Sequence, residues 1–238
     1  MKRLPDELIQ SLHGIAGFDE EAFQAVHERK ERITSIRINP LKIRNELKGF
    51  EFALSTGNST IDLSPVPWCQ CGYYLSRRPS FTFDPLFHAG CYYVQEASSM
   101  FLEQAFRQLV DLSSSLKVLD LCGAPGGKST HIQSLISESS LLVSNEVIRA
   151  RTNILDDNIK RWGAGNVMVT NNDPSVFSKL EGYFDVIVVD APCSGSGLFR
   201  RDEEAINEWS LNNVQLCSKR QQRILADVLP SLKQQGIL

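Results

Sequence analysis

Leu119-Asp120-Leu121-Cys122-Gly123-Ala124-Pro125-Gly126-Gly127-Lys128-Ser129 joins an apolar strand to a helix through a glycine-rich turn, and the fold follows from how that turn is read. Glycines let the backbone approach a ligand closely, and the helix N-terminus that follows favours negative charge. Two familiar loops are excluded by spacing. A Walker A loop needs Gly, four residues, then Gly-Lys-Ser/Thr, and the position five before Gly127 is Cys122. The fingerprint G-x-G-x-x-G fails because Pro125 stands two residues after Gly123.

Downstream, strand and helix patterns alternate. Val118-Leu119-Asp120-Leu121 reads as the first strand and Leu141-Leu142-Val143-Ser144 as the second, with a helix from Arg149 to Trp162. Asn166 to Thr170 is the third strand. Phe184 to Asp190 is the fourth, almost wholly apolar, as a strand buried on both faces should be. Trp209 to Lys233 reads as one long or broken helix, and Gly236-Ile237-Leu238 as the entry to a fifth strand. This alternation predicts an α/β fold on a parallel sheet, with the ligand crevice outside the carboxyl ends of its strands.

Four strand ends then deliver the glycine loop, Glu146, Asp173 and Asp190 to one rim. Glu146 lies nineteen residues after Gly127, where an acid hydrogen-bonds ribose hydroxyls. Any one of these acids could simply cap a loop or helix. The set argues for a nucleoside-bearing ligand. Asp190-Ala191-Pro192-Cys193-Ser194-Gly195-Ser196-Gly197 puts a carboxylate and a thiol at a strand end. No His follows nearby to make a Cys–His pair, and His13, His27, His88 and His131 have no spacing that suggests a triad or a metal site.

Upstream, residues 5–30 read as two short helices, and Ile33 to Asn39 as a strand with Ile36 and Ile38 on one face and Arg37 and Asn39 on the other. From Glu28 to Lys48 seven Lys/Arg stand against three Glu, in a chain of net charge −3. A solvated face and a phosphate-contacting surface both fit that surplus. Residues 51–84 are turn-rich and aromatic, and Val94 to Leu109 reads as a helix. Cys69 and Cys71 are spaced C-x-C with no second pair or nearby His, so no metal is expected. At 238 residues, 42% hydrophobic and 22% charged, the composition excludes disordered and fibrous classes. Mean hydropathy is −0.18, no apolar run approaches the roughly 18 residues of a membrane span, and no secretory signal opens the chain. Six Cys are too few for a disulfide scaffold and read as reduced thiols of a cytoplasmic protein.

Together these residues resemble the Nol/Nop/Sun family of S-adenosylmethionine-dependent RNA cytosine-C5 methyltransferases. The matching stretches are Ser35 to Lys42 (SIRINPLK), Gly90 to Met100 (GCYYVQEASSM), Leu119 to His131, Asn145-Glu146 and Asp190 to Gly197 (DAPCSGSG). The resemblance is greatest to bacterial enzymes acting on small-subunit ribosomal RNA. It implies a small α+β RNA-binding domain over 1–84 and a Rossmann-like methyltransferase domain over 85–238; within the former, Arg37, Asn39, Lys42 and Arg44 of the basic segment are expected on the RNA. It implies S-adenosylmethionine held by Cys122, Gly123, Ala124, Pro125, Gly126, Gly127 and Lys128, with Glu146 on the ribose, Asp173 near the adenine and Asp190 between cofactor and target base.

The family's attacking thiol is a Cys in a Thr-Cys-Ser segment at the end of the fifth strand. These 238 residues contain none, so the sequence reads as the N-terminal portion of a longer enzyme whose last strands are missing. The chemistry needs a thiolate at cytosine C6 to turn C5 into a nucleophile. By resemblance Cys193 assists release of that thiol. Cys193 as the nucleophile itself is the alternative, and a non-catalytic RNA-binding module is the rival from another class. Substrate RNA would present an unstacked base.

Overall fold

The structure, a computed structural model, describes residues 3–29, 33–43 and 61–238. Its largest element is a five-stranded, wholly parallel sheet of β5 (Lys117–Asp120), β6 (Leu141–Asn145), β7 (Val167–Thr170), β8 (Phe184–Val188) and β9 (Leu232–Ile237), in the order β7-β6-β5-β8-β9. This is the Rossmann-like α/β architecture expected. Strand order reverses between β5 and β8, so the chain leaves these neighbours in opposite directions and a crevice opens at their carboxyl ends.

The apolar runs are there because both faces are covered. Val118, Leu142 and Val186 pack with Phe106 of α4 (Leu102–Leu109) and Ile132 of α5 (Gly127–Leu135). Leu155 and Ile159 of α6 (Arg149–Trp162) pack against Ala124, Val167 and Val169. The segments read as strands one to four and the helix at 149–162 therefore hold to within two residues.

Four shorter strands form an antiparallel sheet in the order β2-β3-β1-β4: β1 (Thr34–Ile38), β2 (Leu63–Pro65), β3 (Gly72–Leu75) and β4 (Tyr92–Val94). Ile36, Ile38, Ile61, Leu75 and Tyr92 form its core, with Leu86 and Phe87 of α3 (Pro85–His88) packed against it. All of β1 is buried, including the face carrying Arg37. Asn39, fully buried just beyond β1, donates Nδ2 to the carbonyls of Gly90 and Trp162, both at 2.9 Å, and accepts the Leu41 amide at 3.0 Å.

Two boundaries differ from the sequence reading. The helix expected from Val94 starts later, as a 3-10 turn at Ser98–Phe101 running into α4, because Gln95 still exchanges hydrogen bonds with Ser35. The helix expected to reach Lys233 is α8 (Leu211–Val228), which follows the short α7 (Glu204–Glu208). It gives way at Leu229–Ser231, where Pro230 has no amide proton to donate, and β9 begins four residues before Gly236.

The chain packs as two units. One holds the N-terminal helices α1 (Asp6–Leu12) and α2 (Glu20–Glu28) with Ala191–Ala226, around Leu8, Phe199 and Trp209. The other holds Ile33–Asp190 and Asp227–Leu238, including both sheets. Within that second unit Arg37 of β1 is hydrogen-bonded to α5. Among the described residues no helix is long and apolar enough to cross a membrane.

Where β5 meets α5, fully buried Asp120 accepts the Ser129 hydroxyl at 2.7 Å, and that hydroxyl lies 2.7 Å from the Ser144 hydroxyl of β6. Burial pushes the Asp120 carboxyl up to about 6 against the opposing Ser129 hydrogen bond. An acid whose folded value exceeds its unfolded one favours the fold while protonated, and that contribution is lost as pH rises from about 4 to about 6. At about 1.4 kcal/mol per unit, ionised Asp120 costs about 3 kcal/mol at neutral pH. Asp120→Asn is expected to gain on the wild type by up to that amount between pH 4 and pH 7 in urea unfolding; a pH-independent difference would refute the buried charge. Asn39→Ala leaves two buried carbonyls without their donor, at about 1–3 kcal/mol each. Urea unfolding of that variant is expected to show a loss of about 2–4 kcal/mol at unchanged m; a loss below about 1 kcal/mol would mean that water replaces the side chain.

Candidate functional site

The glycine loop runs from the end of β5 to the start of α5 and is held by its neighbours' backbones. Leu121 N–H donates to Val188 O at 2.9 Å, Gly123 N–H to Asn145 O at 2.7 Å, and Gly126 N–H to Gly123 O at 2.7 Å. A side chain at position 123 would put its Cβ 2.4 Å from Ser144 Oγ and 2.9 Å from Ser129 Oγ. Gly126, at φ +113°, occupies left-handed space that other residues rarely adopt. The loop carbonyls are tied back from α6 and β4: Arg151 Nη2 donates to Ala124 O at 2.8 Å, Asn158 Nδ2 to Pro125 O at 2.6 Å, and Tyr93 Oη to Pro125 O at 3.3 Å. The first α5 hydrogen bond is Thr130 N–H to Gly126 O, so the amides of Gly127, Lys128 and Ser129 have no acceptor within the helix.

The strand-end acids differ in what they do. Glu146, 3% exposed, accepts the Ile148 amide at 3.0 Å, and Arg151 Nη1 lies 3.5 Å from its other oxygen. Arg151 therefore bridges Glu146 and the glycine loop. Asp190 is exposed, and its Oδ2 takes Lys128 Nζ at 2.6 Å, joining the first turn of α5 to the segment after β8. Asp173 is exposed and caps the 3-10 turn Pro174–Lys179, accepting the Ser175 amide at 3.1 Å and hydroxyl at 2.7 Å. Cys122 sits in the loop with its thiol pushed up to about 12, by burial first and then by the charges of Asp120, Glu146 and Asp190. Burial thus disfavours the thiolate at this position. Cys193 is exposed and belongs to the other packing unit.

The expected RNA contacts need correction. Arg37 is 1% exposed, and its guanidinium donates to Gln95 Oε1 at 2.8 Å and Thr130 Oγ1 at 2.6 Å while lying 4.5 Å over the Trp162 ring. Burial lowers it to about 10, still a cation. A phosphate cannot reach it, and buried Asn39 is equally engaged. Lys42 extends its stem through solvent, but its ammonium donates to Ala89 O and Arg161 O, both at 2.6 Å. Arg44 lies outside the described residues. Sequence reading missed Arg151, Asn158, Tyr93 and Thr130. Only Arg151 carried a signal, as a cation in the first turn of the helix after Glu146.

Cys69, Glu103 and His131 also converge, all buried, with donor atoms within 4.8 Å of one another. Their hydrogen bonds are largely matched already. His131 Nε2 lies 3.1 Å from Glu103 Oε2, while Glu103 Oε1 accepts Arg107 at 2.8 Å and the Gln70 amide at 3.3 Å. Burial lowers His131 to about 4, leaving a neutral ring beside an ionised Glu103 held down to about 2 by its hydrogen bonds.

A family model described as 16S rRNA methyltransferase RsmB/F matches residues 108–238, and one for the N-terminal domain of 16S rRNA methyltransferase RsmF matches residues 4–97. Ribosomal RNA small subunit methyltransferase F of Psychromonas ingrahamii is 36% identical over 99% of this chain and 49% of its own length. The protein of that name from Aeromonas hydrophila is 35% identical over 99% and 50%. A solved methyltransferase homolog protein from Pyrococcus horikoshii superposes with a TM-score of 0.72 at 26% identity, covering 98% of this chain and 76% of that one. The chain spans about half the length of the two bacterial relatives. On the match across its parallel sheet, glycine loop and DAPCSGSG segment, the chain belongs to the RsmB/F family of 16S rRNA methyltransferases.

Proposed function

We propose that this chain takes part in methyl transfer from S-adenosylmethionine to cytosine C5 of small-subunit ribosomal RNA, through a covalent cysteine adduct. The observation that carries the reading is the glycine loop at the reversal of strand order, with buried Glu146 on one side and Asp190 on the other. The residues fit such a cofactor. Three amides at the start of α5 stand without helical acceptors, and Glu146 offers a buried carboxylate where a ribose needs one.

When bound, S-adenosylmethionine supplies the electrophilic methyl group. Cys122 to Lys128 line its cradle, Glu146 accepts the ribose hydroxyls, and Asp173 lies on the adenine side of the rim. Asp190, oriented by Lys128, would share a proton with N3 and so neutralise the charge that develops there as a thiolate adds at C6. After C5 takes the methyl group and loses its proton to a base, the thiolate leaves, and Cys193 assists that departure. The attacking thiol belongs to a Thr-Cys-Ser segment outside these residues. The exposure of Cys193 also suits the attacking role, which makes it the second reading. Residues 1–84 contact the RNA through groups other than buried Arg37 and Asn39, and residues 85–238 carry the methyltransferase part. The work is cytoplasmic, where ribosomal RNA is met.

Glu146→Ala removes the ribose acceptor. Hydrogen bonds to a charged group are worth roughly 1.5–3 kcal/mol, so affinity for S-adenosylhomocysteine is expected to fall by about one to two orders of magnitude in calorimetry. Equal affinities would sink the assignment of Glu146. The roles of the thiols are read in the full-length protein with ribosomal RNA and radiolabelled cofactor. Cys193→Ser is expected to trap an RNA adduct that migrates slowly on a denaturing gel. Loss of both adduct and methylation would instead make Cys193 the attacking thiol.

A further inference from the structure

Two hydrogen bonds in series run from β1 into the glycine loop. Arg37 Nη2 donates to Thr130 Oγ1 at 2.6 Å, and Thr130 Oγ1 donates onward to Gly126 O at 2.8 Å. A second contact from Nη2 reaches Gly127 O at 3.3 Å. The guanidinium is locked in turn, by Gln95 through Nε and by the Trp162 ring beneath it. Arg37, Gln95, Thr130, Trp162 and Gly126 are all buried, and Gly127 is half-buried. The carbonyl of Gly126 and the amide of Gly127 belong to one planar peptide unit, so fixing the direction of that oxygen fixes the opposite direction of that N–H. Gly127 N–H is the first of the amides left without a helical acceptor. Gly126 sits in left-handed space, and its carbonyl, which accepts the Thr130 amide at 2.9 Å as the first helical hydrogen bond, takes the Thr130 hydroxyl as a second donor that fixes the direction of the peptide plane.

We propose that Arg37 is a positioning residue for the cofactor, acting through Thr130 on the Gly126–Gly127 peptide plane so that the Gly127 amide stands ready for the ligand. This rests on the S-adenosylmethionine reading above. An arginine suits the task because its planar fork serves Gln95 and Thr130 at once while stacked on Trp162, which a single ammonium cannot do.

The test is calorimetric titration of S-adenosylhomocysteine into wild type, Arg37→Lys, Arg37→Met, Thr130→Val, Thr130→Ser and the Arg37→Met/Thr130→Val double variant, with thermal unfolding of each. Thr130→Val keeps the side-chain shape and removes only the relaying hydroxyl. Loss of one buried hydrogen bond to a charged group predicts about tenfold weaker binding for Arg37→Met and Thr130→Val. Arg37→Lys is expected to recover only part of the loss, and Thr130→Ser, which restores the hydroxyl, to bind like wild type. Because both changes cut one relay, the double variant should bind no more weakly than the worse single. Wild-type affinity in Thr130→Val and Arg37→Lys, whatever their unfolding temperatures, would reduce Arg37 to a packing residue and overturn the proposal alone. Fully additive losses would overturn the relay. Absence of binding by the wild type would overturn the cofactor reading and the positioning role together. Should Arg37→Met fail to fold, the Thr130→Val and Thr130→Ser pair decides the matter.

Discussion

A side chain at position 123 would have to displace two buried, hydrogen-bonded hydroxyls. A Cβ there would meet the hydroxyls of Ser144 and Ser129, and much of the site follows from that closeness. With only a hydrogen in the way, β5, β6 and the first turn of α5 approach until Asp120, Ser129 and Ser144 share one hydrogen-bonded cluster. The Gly123 amide can then reach the carbonyl of Asn145 on the neighbouring strand. That bond sets the loop against the end of β6, one residue before Glu146. The rim is therefore built by backbone proximity first, and the charged side chains are placed on it afterwards.

What the sequence discloses is what burial on both sides makes visible. Phe184 to Val188 is apolar but for Asp185 because helices and neighbouring strands exclude water from it, and such a run can be read without knowing its partners. The helix at 149–162 is legible because it ends at Gly163, in left-handed space, after a basic last turn. Glycine spacing and the acid after β6 are local features and survive intact. β9 was harder. Lys233-Gln234-Gln235 is polar, continues a helical stretch without a break in pattern, and is mostly exposed along its length. Nothing in that composition distinguishes an edge strand from the last turn of a helix, except Pro230.

Arg37 and Asn39 were misread for a different reason. A count of charges reports residue types and not whether the face they occupy is covered. β1 alternates as a half-exposed strand would, yet its polar face is buried against α5 and α6, so the alternation separates apolar packing from hydrogen bonding and not core from solvent. Each group on that face finds a backbone or side-chain acceptor. Lys42 settles on the last carbonyls of α6, where the helix dipole favours a cation. The acid at 173 shows the converse. It stands where a ligand-binding residue was expected, and its carboxylate already accepts an amide and a hydroxyl as a cap.

These connections give the antiparallel sheet a task beyond its own core. α6 is gripped at its C-terminal end by Asn39 and Lys42, which take the carbonyls of Trp162 and Arg161, and at its N-terminal end by Glu146, whose carboxylate caps Ile148 and whose carbonyl accepts Thr152. Between those grips it presents Arg151 and Asn158 to the carbonyls of Ala124 and Pro125. α5 is held by Arg37 on one side and by Asp120 and Glu103 on others. A loop of three glycines in five residues has little stiffness of its own. Its shape is set instead by two helices whose positions are fixed from β1, so the short strand that reads as part of a separate N-terminal module is mechanically part of the site.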